Sequence, residues 1–228
     1  MGLWEWLFGS RKRTQQGKAS PPPPTDPRQV EADERKADEA ALQALTPGSD
    51  ATIRTLISQT RNFRVARTSA GNTLHDQLIG IGVTDDEMRV AVARVLASTG
   101  KAPTLEEVLV ELSRRFAARP SADVVGLSQV LHSAALGINQ SGDDHFAVLY
   151  ESTRLRLMDL ERSGITRAEI LTAGGGSCAA CSSRKRLIWT VETALRNMPI
   201  PTKRCSHRFD ADPELRGFCR CMWVAVIE

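Results

Sequence analysis

Five cysteines and one histidine near the C-terminal end carry the chemistry this sequence can do. Cys178 and Cys181 form a CxxC, Cys205 and His207 a CxH, and Cys219 and Cys221 a CxC. No cysteine precedes Cys178. A thiolate is a soft anionic donor, and two of them on one tight turn reach the same tetrahedral ion at about 2.3 Å. The chain between Cys181 and Cys205 is long enough to bring a second pair of donors back to the first. Six candidate ligands compete for four positions around an expected Zn²⁺, and spacing leaves the choice among Cys205, His207, Cys219 and Cys221 open. Three other chemistries use the same residue types. A CxxC serves thiol redox exchange when it opens a helix in a βαβ unit. Here it follows Gly174-Gly175-Gly176 and leads toward an apolar strand. Disulfides would leave one of five thiols over and need an oxidising compartment. A metal-dependent hydrolase needs an open coordination position and a general base, for which Glu192 and Asp210 are at hand but not singled out by spacing.

The elements that must position these ligands are short. Leu187–Trp189 reads as a strand. Thr190 caps a helix through Val191, Ala194 and Leu195 that stops at Pro199-Ile200-Pro201. Met222–Ile227 reads as a terminal strand. This α+β unit, residues 173–228, is too small to hold itself by apolar burial alone, so a metal would supply folding free energy. The preceding residues 28–172 read as five to seven helices joined by short loops. Thr84-Asp85-Asp86-Glu87 and Thr104-Leu105-Glu106-Glu107 are capping boxes. Leu105, Val108, Leu109, Leu112 and Phe116 follow the spacing of one buried helical face. Val124, Leu127, Leu131, Ala134, Ala135 and Ile138 mark the next helix, and Asp143 or Asp144 starts a long one through Leu160. Thr166-Arg167-Ala168-Glu169 predicts a further short helix. The fold class is therefore mainly α, a helical bundle followed by a small α+β zinc-binding module.

The order CxxC, short strand, short helix, proline-flanked segment and Cys-Arg-Cys before an apolar strand resembles the C-terminal module of phage head-morphogenesis proteins, the minor head proteins of the Mu F type. The resemblance spans roughly residues 145–228, with its specific part at Cys178–Val226. Members typically carry a CxxC and a late His-Pro-Asn-Cys-Arg. Here Gly217-Phe218-Cys219-Arg220-Cys221 matches that segment in part, and Arg216 stands where the histidine would be. Cys205 and His207 are candidates to replace it. The resemblance favours Cys219 over Cys221, giving Cys178, Cys181, Cys205 and Cys219 as the expected ligand set, with Cys221 and His207 as alternates. It implies assembly through a protein partner rather than catalysis.

Charge adds a second reading. Residues 178–228 hold nine basic and five acidic residues, a net of +4. Arg184, Lys185, Arg186, Lys203, Arg204 and Arg208, with Trp189 and Phe209 nearby, could grip phosphates and stack bases. The same cations would also offset four thiolates on Zn²⁺, which leave a charge of −2. Over the whole 228 residues the net charge is only +3 and 41% are hydrophobic, which excludes a wholly disordered chain.

Residues 1–27 read as an apolar tip (Leu3, Trp4, Trp6, Leu7, Phe8) and a linker with four consecutive prolines, Pro21–Pro24. The tip could touch a membrane surface, but one short segment binds weakly. Its basic residues follow the apolar stretch instead of preceding it, so secretion is not expected and a cytoplasmic setting is. Trp6 occupies the position where myristoylation wants Ser or Thr. No run of roughly 18 apolar residues could span a bilayer. Gly174–Ser177 lacks the Gly-Lys of a phosphate loop, and no Ser/His/Asp spacing compels nucleophilic catalysis.

Overall fold

The computed structural model describes residues 27–45, 49–63, 73–209 and 212–227. The N-terminal tip and proline linker lie outside them. Contacts divide the chain into a unit ending at Lys36 and a second unit, Ala37–Glu228. The boundary falls within α1 (Pro27–Gln43).

The second unit opens with the last residues of α1 and continues through α2 (Ser49–Asn62), α3 (Leu74–Gly80), α4 (Asp85–Thr99), α5 (Leu105–Ala117), α6 (Val124–Gln140) and α7 (Phe146–Arg162). The helix starts follow from local hydrogen bonding. Thr84 and Thr104 each accept from the backbone N–H of the glutamate three residues on, and each glutamate returns a bond to the cap backbone. Asp123 accepts from the Gly126 N–H at 2.7 Å to begin α6. At α7 it is Asp144 that accepts, from Phe146 N–H at 2.9 Å, with His145 at the cap position. Helix α3 went unpredicted, although Thr73 and Asp76 form a third reciprocal box.

Helix α6 is the bundle's centre. Leu127, Leu131, Ala134 and Ala135 are fully buried, and its main partner is α7. Small residues set how close these two helices come. Ser128 Oγ donates to the Ser152 carbonyl at 2.9 Å, and Ser152 Oγ donates to the Ser128 carbonyl at 2.8 Å. The buried carboxylate of Glu151 is compensated by Arg114 at 3.3 Å and Arg154 at 2.7 Å, as a buried charge must be.

One sequence expectation fails after α7. The segment from Thr166 is not a helix but strand β1 (Arg167–Leu171). Ala168 and Ile170 are buried while Arg167 and Leu171 are exposed, the period-two pattern of a strand. A four-residue capping box is a weak signal when such alternation is satisfied by pairing on both sides. β1 pairs antiparallel with β2 (Ile188–Thr190), placing Ala168 opposite Trp189. It also pairs antiparallel with β5 (Met222–Ala225), placing Ile170 opposite Trp223. Between them come the one-turn helix α8 (Ala179–Ser182), α9 (Val191–Asn197) capped by Thr190 as expected, and a hairpin of β3 (Arg208–Phe209) and β4 (Asp212–Arg216). The molecule is thus mostly helical with a small antiparallel sheet near its C-terminal end. One buried cluster runs from Leu127, Leu131 and Leu155 of the bundle through Ile170, Val191 and Trp223 to the cysteines.

Within the second unit, ion pairs fasten Asp38 to α4 and α5. Asp38 binds Arg94 at 2.8 Å and Arg115 through both carboxylate oxygens. Burial pushes the Asp38 carboxyl up, but the two guanidinium groups outweigh it and hold it below the ordinary 3.8. A depressed carboxylate contributes stability that is present above its unfolded value and lost as pH falls through the folded one. Asp38→Asn should therefore cost about 1 kcal/mol at pH 7, with the difference from wild type closing below pH 3.8 in urea titrations. Leu131→Ala, at the bundle centre, should cost about 2–5 kcal/mol in the same measurement at any pH where the protein folds.

Candidate metal centre

Three segments deliver the cysteines. The glycine run ends in a turn at Gly174–Gly176, and Cys178 then stands at the start of α8, which places Cys181 one turn on and buried. Pro199–Thr202 leads into Cys205. The β3–β4 hairpin reverses the chain, and the Gly217 N–H donates to the His207 carbonyl at 3.1 Å. That closure sets the CxH beside the CxC. Gly217 has a φ of +77°, and a Cβ there would come within 3.2 Å of the Cys205 carbonyl oxygen. Only glycine fits that corner without strain.

The five sulfurs converge. Cys181 Sγ lies 3.8 Å from Cys205 Sγ and 3.8 Å from Cys219 Sγ, and Cys178 Sγ lies 4.0 Å from Cys205 Sγ. They form two mutually close triads, Cys178–Cys181–Cys205 and Cys181–Cys219–Cys221, which share Cys181. All five are free thiols. The separations are far above the roughly 2.05 Å of a disulfide. They match the edge of a tetrahedron: with metal–sulfur bonds of about 2.3 Å, adjacent sulfurs stand about 3.8 Å apart. The donors therefore fit a metal ion. The space among Ser177, Cys178, Cys181, Cys205, His207 and Cys221 is a cavity of about 10 Å³, the scale of a single ion or water.

Electrostatics makes the crowding costly without a cation. Burial pushes the Cys181 thiol up to about 11, and the charge of Cys219 adds to it. Cys205 and Cys221 are pushed up by the hydrogen bonds each donates to Cys219 and then by burial. Cys219 is driven down because it receives those two bonds, and backbone N–H groups of Thr202 and Cys221 add to them against its burial. Cys178 is the outermost. Burial raises it, but backbone N–H groups of Ser206 and Cys181 prevail and bring it down to about 7. The sulfurs therefore titrate as one coupled set, in which a charge on one raises the cost of charging the next. A bound dication would allow several thiolates at once.

His207, an alternate ligand in the sequence reading, lines the same cavity. Its Nδ1 meets the Gly176 carbonyl at 2.6 Å, which orients the ring and ties the glycine turn to the CxH. It belongs to neither triad. Two other histidines converge on Phe218, which is 1% exposed beside Cys219. The His145 ring stacks on it at 5.2 Å, and His132 meets it edge-on at 5.3 Å. His75 lies elsewhere, paired with Asp85 at 2.7 Å.

Arg184 donates to the Ala180 carbonyl at 2.6 Å, bracing α8. Arg186 reaches Glu169 at 3.9 Å, and Lys203 lies 4.9 Å from the centre of the Phe146 ring. Lys185 and Arg204 are exposed. The side chains of Arg208 and Phe209, and Asp210 altogether, lie outside the described residues. Glu192 pairs with Arg196 on the surface of α9. No helix among the described residues is long and apolar enough to cross a membrane.

Fold and site together define a helical protein with a thiolate-rich C-terminal α+β module. Comparison with family models, with curated proteins and with solved structures finds no match to this chain.

The shared position of Cys181 makes a test. Cys181→Ser breaks both triads and should abolish metal retention after gel filtration. Cys178→Ser and Cys221→Ser each leave one triad and should keep metal at reduced affinity. For all forms, affinity should fall as pH is lowered, since protons compete for the thiolates.

Proposed function

We propose that the cysteine cluster is a structural zinc centre and that the protein acts by binding and assembly rather than by catalysis. The observation that carries this reading is the spacing of the sulfurs, 3.8 Å from Cys181 to Cys205 and to Cys219 and 4.0 Å from Cys178 to Cys205, close to the edge length of a tetrathiolate zinc site. Soft thiolates in tetrahedral array favour Zn²⁺ over the hard divalent ions. Cys178, Cys181, Cys205 and Cys219 are the proposed ligands, with Cys221 and His207 adjoining. In the setting that the Mu F-type resemblance implies, the protein is a cytoplasmic component of phage or prophage head morphogenesis with a protein partner.

The small cavity supports a structural role. A hydrolytic zinc needs an open position that admits substrate and a base beside it. A space of about 10 Å³ admits neither a peptide nor a nucleotide, and Glu192 is engaged by Arg196. Thiol exchange needs an accessible pair of sulfurs, whereas Cys181 is 3% exposed. Loss of the ion would loosen three chain segments together.

Native mass spectrometry of protein purified without chelator should find one zinc per chain. A metal-free protein would sink the proposal. In the zinc-loaded protein all five thiols should react slowly with an alkylating reagent, and chelation should speed the reaction at least about tenfold as the site opens. Fast labelling of Cys178 and Cys181 before chelation would favour a thiol oxidoreductase.

A further inference from the structure

Beside the cysteine cluster, on the side of α6 and α7, lies a groove of about 320 Å³. Its floor is formed by the strand end that leaves the CxC, and its walls by the two helices. Arg156 of α7 and Arg220, the residue between Cys219 and Cys221, both line it and are both exposed. Gln129, His132 and Ser133 line it from α6 and can each donate a hydrogen bond, whereas the hydroxyls of Ser128, Ser152 and Thr153 already donate to backbone carbonyls. No carboxylate is among the lining residues. Arg156 makes no ion pair among the described residues. The apolar contribution comes from Met222, 52% exposed, and from Trp223, 1% exposed. The indole N–H of Trp223 is buried with no acceptor among the described residues, an unmet donor of the sort that ligands satisfy.

We infer that this groove binds an acidic peptide segment of a partner protein, one that places a carboxylate between Arg156 and Arg220 and an apolar side chain on Met222. The inference rests on the binding role proposed above and names the chemistry of the partner. Guanidinium groups present a planar fork that suits carboxylates. Two guanidinium groups in a lining that contains no carboxylate attract them at distance. The apolar floor is what separates a peptide from a nucleic acid. A phosphodiester chain would draw on a run of cations, and Lys185, Arg186, Lys203 and Arg204 do not line this groove. Because Arg220 is flanked by two cysteines of the cluster, the geometry of the centre sets one half of the carboxylate fork.

The test uses the full chain, with zinc content measured on each sample. A fluorescein-labelled peptide of alternating Asp and Leu is titrated and followed by anisotropy, alongside its Asn/Leu counterpart and an oligo-dT of matching length. The Asp/Leu peptide should bind saturably and more weakly as salt rises, and the Asn/Leu peptide should not bind. Arg156→Ala should weaken binding about tenfold, and Ser133→Glu should abolish it, both with zinc content unchanged. Both substitutions are on helix surfaces, and circular dichroism checks that the helices persist. The inference is overturned by zinc-loaded wild type that does not bind the Asp/Leu peptide, by binding indifferent to both substitutions, or by oligo-dT binding that depends on Arg156 while the peptide fails. Failure of the zinc reading shows separately, as absent metal.

Discussion

Like-charged sulfurs crowded around Cys181 set the constraint on which the C-terminal part of this protein turns. Thiolates repel one another, and burial raises the cost of each charge. Protons can relieve the repulsion only by leaving most of the sulfurs neutral. A dication relieves it by letting several be charged together. Either way the three segments that carry the sulfurs must come to one point. The surrounding devices serve that end: the His207 bond to Gly176, the glycine corner at Gly217, and the brace from Arg184 to the backbone of α8.

The helical bundle is the wall against which this convergence happens. Helix α7 packs on α5 and α6 on one side and on α9 and β5 on the other. Phe218, held between His132 and His145, sinks the loop of the CxC into the α6–α7 surface. The position of Cys219 is thereby set from the bundle as well as from its own hairpin. Reciprocal serine bonds between α6 and α7 keep that surface narrow and stiff.

Much of this was legible in the residues, and what was not has a physical cause. Capping boxes at Thr84 and Thr104 are local, so their helices could be read from a few neighbours. The box at Thr73 is equally local, but it closes with Asp76 in place of the Glu or Gln that marks such boxes in a sequence. The segment from Thr166 misled because its strand state is secured by β2 and β5, which lie far along the chain. Clustering of Cys178, Cys181, Cys205, His207, Cys219 and Cys221 pointed to one site, and the sulfurs do gather. Their grouping about Cys181 was beyond reach, because it depends on how the hairpin of β3 and β4 closes. The contact of His132 and His145 with Phe218 was hidden for the same reason, as it joins residues 73 or more positions apart in sequence.

The placement of β1 has a consequence for how this protein can be divided. The change of composition at Gly174 invites a cut there, separating helices from cysteines. Yet the strand that lies between β2 and β5 comes from the near side of that cut. A fragment starting at the glycines would hold all the sulfurs but lack the template that aligns its two outer strands. Inheritance, shuffling or grafting of the cysteine module therefore has to carry the end of α7 and β1 with it, so the natural seam lies upstream of the one that composition suggests.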